Sequence, residues 1–139
     1  MQVMPYLIFE GRCEAAIEFY KKAVGARLDE MMRFSEAPEP PPPDMVAPGS
    51  ERKILHASFF IGDTMVMASD GYCKEAASFK GFSLSLNVET PEEVDRYFNA
   101  LVDGGQVTMP VGATFWSKRF GMLTDRFGIG WMVNCVQPV

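Results

Sequence analysis

A chain of 139 residues with 47% hydrophobic and 22% charged side chains suits one globular domain, or two half-domains, and needs no disulfide or metal staple. That composition excludes wholesale disorder, and no apolar run approaches the roughly 18 residues of a membrane span. Thirteen basic against eighteen acidic residues leave a net charge of −5, which argues against nucleic acid as a partner because phosphate binding needs a basic stripe.

Residues 3–9 are an apolar run and predict a buried strand. Ala16, Ile17, Tyr20, Ala23 and Val24 then recur at spacings of three and four, with Glu14, Glu18, Lys21 and Lys22 opposite, so 13–24 predicts an amphipathic helix closed by Gly25. Residues 26–34 predict a second strand. The segment 35–50 holds six of the ten prolines and predicts a surface loop, part polyproline II and part disordered; an SH3-type ligand is its other reading. Runs at 53–61 and 64–69 around Gly62-Asp63 predict a hairpin. In 82–88, Leu84, Leu86 and Val88 alternate with Ser83, Ser85 and Asn87. Thr90-Pro91-Glu92-Glu93 opens a second helix with the pattern of a capping box, and Gly104-Gly105 ends it. Residues 106–112, 115–124 and 129–136 predict three more strands.

The order strand, helix, strand, strand, strand thus occurs twice. At an offset of 78, Tyr6 and Ile8 fall on Leu84 and Leu86, and the apolar face of the first helix falls on Val94, Tyr97, Phe98, Leu101 and Val102. The final hairpins match at 65, with Met65 and Met67 on Gly130 and Met132, so the first module carries 13 extra residues where the Pro-rich loop lies. The expected fold is α+β: one domain, 1–139, of two βαβββ modules, 1–75 (with the loop 35–50) and 80–139. Each helix would cover one face of a four-stranded sheet, and two curved sheets side by side would enclose a small-molecule cavity.

The candidate residues follow from this parity. Ser83, Ser85 and Asn87, with Met132 and Asn134, share the face away from the second helix and are either ligand contacts or a solvated side. Met67, with Met65, is an adaptable pocket wall or core filling. Trp116 could stack on a planar ligand and Arg119 pair with an anion; otherwise Trp116 is interface or core and Arg119 pairs with Asp125. His56, the one histidine, is a weak candidate for a general base, against a strand histidine with one hydrogen bond. Cys13 at a helix start is either a lowered-pKa thiol or buried and inert. Cys13, Cys73 and Cys135 are odd in number without CxxC spacing, so no disulfide framework or cysteine zinc site is expected. No signal peptide is seen, and a reducing cytoplasm is the expected setting. No Ser-His-Asp order, HExxH or P-loop is present.

The stretches PYLIFEGRCEAAIEFYKKAVGA, HASFFIGDTMVMASD and TFWSKRFGMLTDRFGIGWMVN resemble the PhnB-like branch of the vicinal oxygen chelate superfamily, which includes glyoxalase I, bleomycin-resistance proteins and extradiol dioxygenases. The resemblance covers nearly the whole chain, and some members of the branch carry the label 3-demethylubiquinone 3-methyltransferase. It implies paired βαβββ modules, a homodimer, and metal ligands at positions that here hold Pro5, Met67, Ser83 and Met132. None is a donor suited to a hard divalent cation, so no metal and no cofactor is expected. Nor does a glycine-rich strand-to-helix turn support the methyltransferase label, since Gly104-Gly105 follows a helix. The expected function is therefore binding of a planar or hydrophobic small molecule. A metal-independent enzyme using His56 or a cavity hydroxyl is the alternative, and a metalloenzyme with ligands such as His56 with Glu10 or Glu89 the third. The ligand is not legible from these residues.

Overall fold

Helical spacing and capping chemistry put α1 at Cys13–Val24 and α2 at Pro91–Val102, as expected. Gly25 ends α1 in the left-handed conformation, φ 69°, its N–H donating to Tyr20 O, a geometry that glycine adopts without strain. Thr90 caps α2: its Oγ1 accepts from Glu93 N at 3.2 Å. The expected capping box is only half made, because Glu93 Oε1 takes the Thr90 hydroxyl proton instead of reaching back to the backbone.

The computed structural model describes residues 1–139 and resolves into two compact units, Met1–Ala77 and Ser78–Val139. Unit one holds β1 (Tyr6–Ile8), α1, β2 (Arg27–Arg33), a single 3-10 turn at Phe34–Glu36, β3 (Ile54–Ile61) and β4 (Thr64–Ser69). Its sheet runs β1-β4-β3-β2, with β1 and β4 parallel and the rest antiparallel. Unit two holds β5 (Leu84–Val88), α2, β6 (Gln106–Gly112), β7 (Phe120–Thr124) and β8 (Gly130–Cys135), and its sheet repeats the pattern as β5-β8-β7-β6. Two helices and eight strands in two mixed sheets are the expected two-module α+β fold.

Each helix buries its apolar face. In unit one, Ala16, Ile17 and Tyr20 are almost wholly buried, as are Leu7, Ala57, Phe59, Val66 and Ala68; Tyr20 stacks on Phe59 at 6.2 Å between ring centroids. In unit two, Val94, Phe98 and Leu101 face Leu123, Trp131 and Val133, all buried. Phe98 lies so close to β7 that a Cβ on Gly121 would come 2.9 Å from its ring. Burial of one such Leu or Phe side chain contributes roughly 1.5–3 kcal/mol.

A buried carboxylate ties each unit together. Asp70 accepts from Gly11 N, Cys13 N and Ile54 N at 2.7–2.9 Å, joining the start of α1 to the start of β3. Asp125 accepts from Phe127 N, Ile129 N and the Trp131 indole N–H at 2.8–3.1 Å, closing the β7–β8 turn.

Four expectations need correction. The first strand is Tyr6–Ile8, not 3–9. Its offset to the second module is 79: Leu7 pairs with Ala68 and Leu86 with Val133, so with β4 and β8 in register at 65, Tyr6 corresponds to Ser85, not to Leu84. The strand expected at 115–124 starts at Phe120, because Thr114–Ser117 is a tight turn with Thr114 N bonded to Ser117 O. Lastly, the Pro-rich segment expected to be partly disordered is hydrogen-bonded in place. Ser35 N donates to Glu51 O, Ala47 N to Tyr72 O and Met45 N to Pro42 O, and Lys74 Nζ reaches Asp44 O.

Candidate functional site

In each unit the sheet face away from the helix carries the side chains with chemistry to offer. On unit two, strand alternation puts Ser85 and Asn87 of β5 on this face, beside Met132 and Asn134 of β8, their register partners. Met122 and Phe120 of β7 pair in turn with Met132 and Asn134. Asn134 Nδ2 donates to Asn87 Oδ1 at 3.3 Å, while Asn134 Oδ1 is buried with no hydrogen-bond partner. Ser83, grouped with these by parity, precedes β5; its Oγ would lie 3.1 Å from a Cβ on Gly130.

The turn before β7 adds an aromatic wall. Ser117 is fully buried; its N–H donates to Thr114 Oγ1 and its hydroxyl to the Arg119 and Cys135 carbonyls. These bonds hold the turn shut and push Phe115 and Trp116 outward, 90% and 50% exposed. Trp116 meets Phe115 edge-on at 4.8 Å and Phe120 at 5.3 Å. Trp116 is therefore not core, and it is joined through Phe120 to the Asn134 end of the face. Arg119 is directed elsewhere: its Nε bonds Asp95 of α2 at 2.7 Å. The expected Asp125 partner is already committed to Trp131 and two backbone amides.

On unit one the same face holds Tyr6, Met67 and Ser58 in register across β1, β4 and β3, with His56 two residues along β3 opposite Met32. The Tyr6 hydroxyl and His56 Nδ1 share a hydrogen bond of 3.0 Å, their rings 5.7 Å apart. Ser58 donates to Asp29 Oδ2 at 3.0 Å, where β2 bulges between Leu28 and Glu30. Desolvation pushes the Tyr6 phenol above its ordinary range.

Cys13 and Cys73 are poor nucleophiles. Burial, with the Asp70 and Glu14 carboxylates, drives the Cys13 thiol far above its ordinary value, and burial raises Cys73 as well. At the surface, the Arg33 guanidinium grips both Glu14 oxygens and holds that carboxyl below its usual value. No three His, Cys, Asp or Glu side chains form a group that could hold a metal ion, and the single His56 is bonded to a phenol. Both helix starts are also filled from within, by Asp70 and by Thr90. No helix is long and apolar enough to cross a membrane.

Phe120, Met122 and Tyr6 are not candidates from the sequence, whereas Asn87 is, in the polar stripe with Ser83 and Ser85. Tyr6 lies in an alternating stretch as well, but the one-residue error in offset places it on the helix side. Phe120 and Met122 required the true start of β7.

Comparison with known proteins supports the fold and gives the family. The family model for 3-demethylubiquinone-9 3-methyltransferase matches residues 1–134. Protein YjdN of Escherichia coli (strain K12) is 37% identical over 99% of this chain and 97% of its own. The crystal structure of protein PA1353 from Pseudomonas aeruginosa superimposes with a TM-score of 0.85 at 46% identity, covering 97% of both chains. A PhnB protein from Bacillus cereus does so with a TM-score of 0.80 at 29% identity, over 97% of this chain and 99% of that one. The fosfomycin resistance protein FosX of Mesorhizobium loti, at 14% identity, shares the fold alone, with a TM-score of 0.60 over 97% of this chain and 90% of that one. With two βαβββ units and a family match over residues 1–134, this chain belongs to the PhnB-like, 3-demethylubiquinone-9 3-methyltransferase-like family.

Proposed function

We propose that the protein binds a small planar or hydrophobic molecule on the open face of its second sheet, without a metal. The observation that carries this reading is the aromatic turn. Trp116 is half-exposed, fixed by the Ser117 hydrogen bonds and packed edge-on against Phe120. An ordered, exposed aromatic cluster beside two methionines and a pair of amides is the makeup of a ligand wall. Trp116 and Phe120 would cover a flat ligand, Met122 and Met132 would adapt to its outline, and Ser85 with the Asn87–Asn134 pair would fix its polar edge. Metal-dependent chemistry finds no matching donors at the positions that the resemblance implies, Pro5, Met67, Ser83 and Met132, and the strand partners of the two methionines are Tyr6 and Ser85. A phenol, a hydroxyl and two thioethers do not suit a hard cation.

Methyl transfer, the activity in the family's name, has less support. The glycine-rich turn of a parallel sheet is missing, and the strand-to-helix turn of unit one spends its N–H groups on Asp70. A second reading is favoured by the Tyr6–His56 bond. It is a metal-independent enzyme in which His56 exchanges a proton with substrate while Tyr6 holds its ring; unchanged turnover in His56→Ala would overturn it.

The binding test is a thermal-shift screen of planar aromatic compounds against chelator-treated protein. A compound at a hundredfold over its dissociation constant stabilises by about 2.7 kcal/mol. Trp116→Ala should weaken any hit roughly 2- to 12-fold, while Arg119→Ala should leave it unchanged. A hit that ignores Trp116→Ala would refute the placement.

A further inference from the structure

We propose that the Pro-rich insertion is itself a ligand site, separate from the Trp116 face, and that it takes a small apolar molecule bearing a positive charge. The loop borders an open hollow of about 390 Å³, within the volume range of small-molecule sites. Pro40, Pro41, Pro43, Pro48 and Val46 wall it, with Phe34 behind them. Proline walls lose little conformational entropy when a ligand docks. Hydrogen bonds at both ends, Ser35 N to Glu51 O and Ala47 N to Tyr72 O, keep the cavity in shape.

Charge selects the class of ligand. Glu51 is the one charged residue among those lining the cavity, while Arg33, Arg52 and Lys53 flank the loop and Lys74 Nζ reaches Asp44 O. Glu39 and Asp44 adjoin lining prolines in sequence. Glu36 is already engaged by Arg33 N. An apolar hollow whose one charged lining residue is a carboxylate favours a hydrophobic ammonium over a neutral or anionic isostere.

The test uses amide resonances of the full chain titrated to millimolar concentration with three indoles of one size: tryptamine, tryptophol and indole-3-acetate. Tryptamine should move resonances of 34–51 saturably, tryptophol less and indole-3-acetate least. Glu51→Gln should weaken tryptamine by about 1.5- to 5-fold, and Val46→Trp, which fills the hollow, should abolish the response while the spectrum elsewhere is kept. Shifts confined to 115–134 would support the aromatic face and overturn this site. Equal or tighter binding of indole-3-acetate, or no movement in 34–51, would also overturn it. So would resonances in 34–51 that move with protein concentration alone, which would mean that a second copy fills the hollow.

Discussion

The two units follow one plan on the helix side of their sheets and two different plans on the other side. Ala16, Tyr20 and Ala23 of α1 and Val94, Phe98 and Leu101 of α2 are equivalent by offset, and all six are buried. Across the sheet, Tyr6 and His56 of unit one stand where unit two has Ser85 and Phe120. The helix side must fill a fixed volume, which restricts substitution. The open side answers to whatever it contacts, so it has diverged into a phenol–imidazole pair on one unit and an aromatic wall with amides on the other.

The shared plan can be broken at its two carboxylates. Asp70→Ala strands three buried backbone donors, and Asp125→Ala strands two and the Trp131 indole. Each buried orphan costs about 1–3 kcal/mol, so each variant should lose at least about 3 kcal/mol in urea unfolding. Only Asp125→Ala should alter Trp131 fluorescence in the native state. Losses below about 1 kcal/mol in both would remove the claim that these carboxylates organise the units.

Next in size are the glycines after the helices. A Cβ on Gly105 would run into the Thr124 carbonyl and the Asp125 backbone, whereas one on Gly25 meets nothing within 4 Å. Gly105→Ala should therefore cost more than Gly25→Ala: about 3 kcal/mol or more from overpacking against about 1 kcal/mol from the left-handed conformation. Equal melting temperatures would contradict this difference.

Smaller effects come from titration. Cys13 keeps its proton more tightly folded than unfolded, so its contribution is complete below the ordinary thiol value of 9.0 and is lost as pH rises beyond it. Cys13→Ala should flatten the alkaline arm of stability against pH, and native Cys13 should resist alkylation. Glu14 runs the opposite way. Its lowered value means stability present above 4.5 and lost as pH falls through the depressed value, and exposure keeps the effect small. Glu14→Gln should remove only that acid-side slope.

The plan was legible in the sequence because burial imposes period. The 3.6-residue spacing of Ala16, Tyr20 and Ala23 located α1 to the residue, and the Ser85–Asn87 alternation named one side of a candidate face. What stayed hidden depends on contacts distant in sequence. Tyr6 meets His56 across 50 residues, and Arg119 turns to Asp95 because Trp131 holds Asp125. Phe115 and Trp116 have strand-like propensity, yet the Ser117 hydroxyl, bonded to two carbonyls, makes them a turn. Propensity weighs residues singly and misses such a bond.

The most direct test of metal-free binding at the aromatic face is the thermal midpoint of chelator-treated protein with a planar hit, and separately with Ni²⁺, Zn²⁺, Mn²⁺ or Fe²⁺, in wild type and Trp116→Ala. The account predicts a shift of several degrees with the hit alone, diminished in Trp116→Ala, and none with any metal. A selective metal shift, or a hit that binds only once metal is restored, would contradict it.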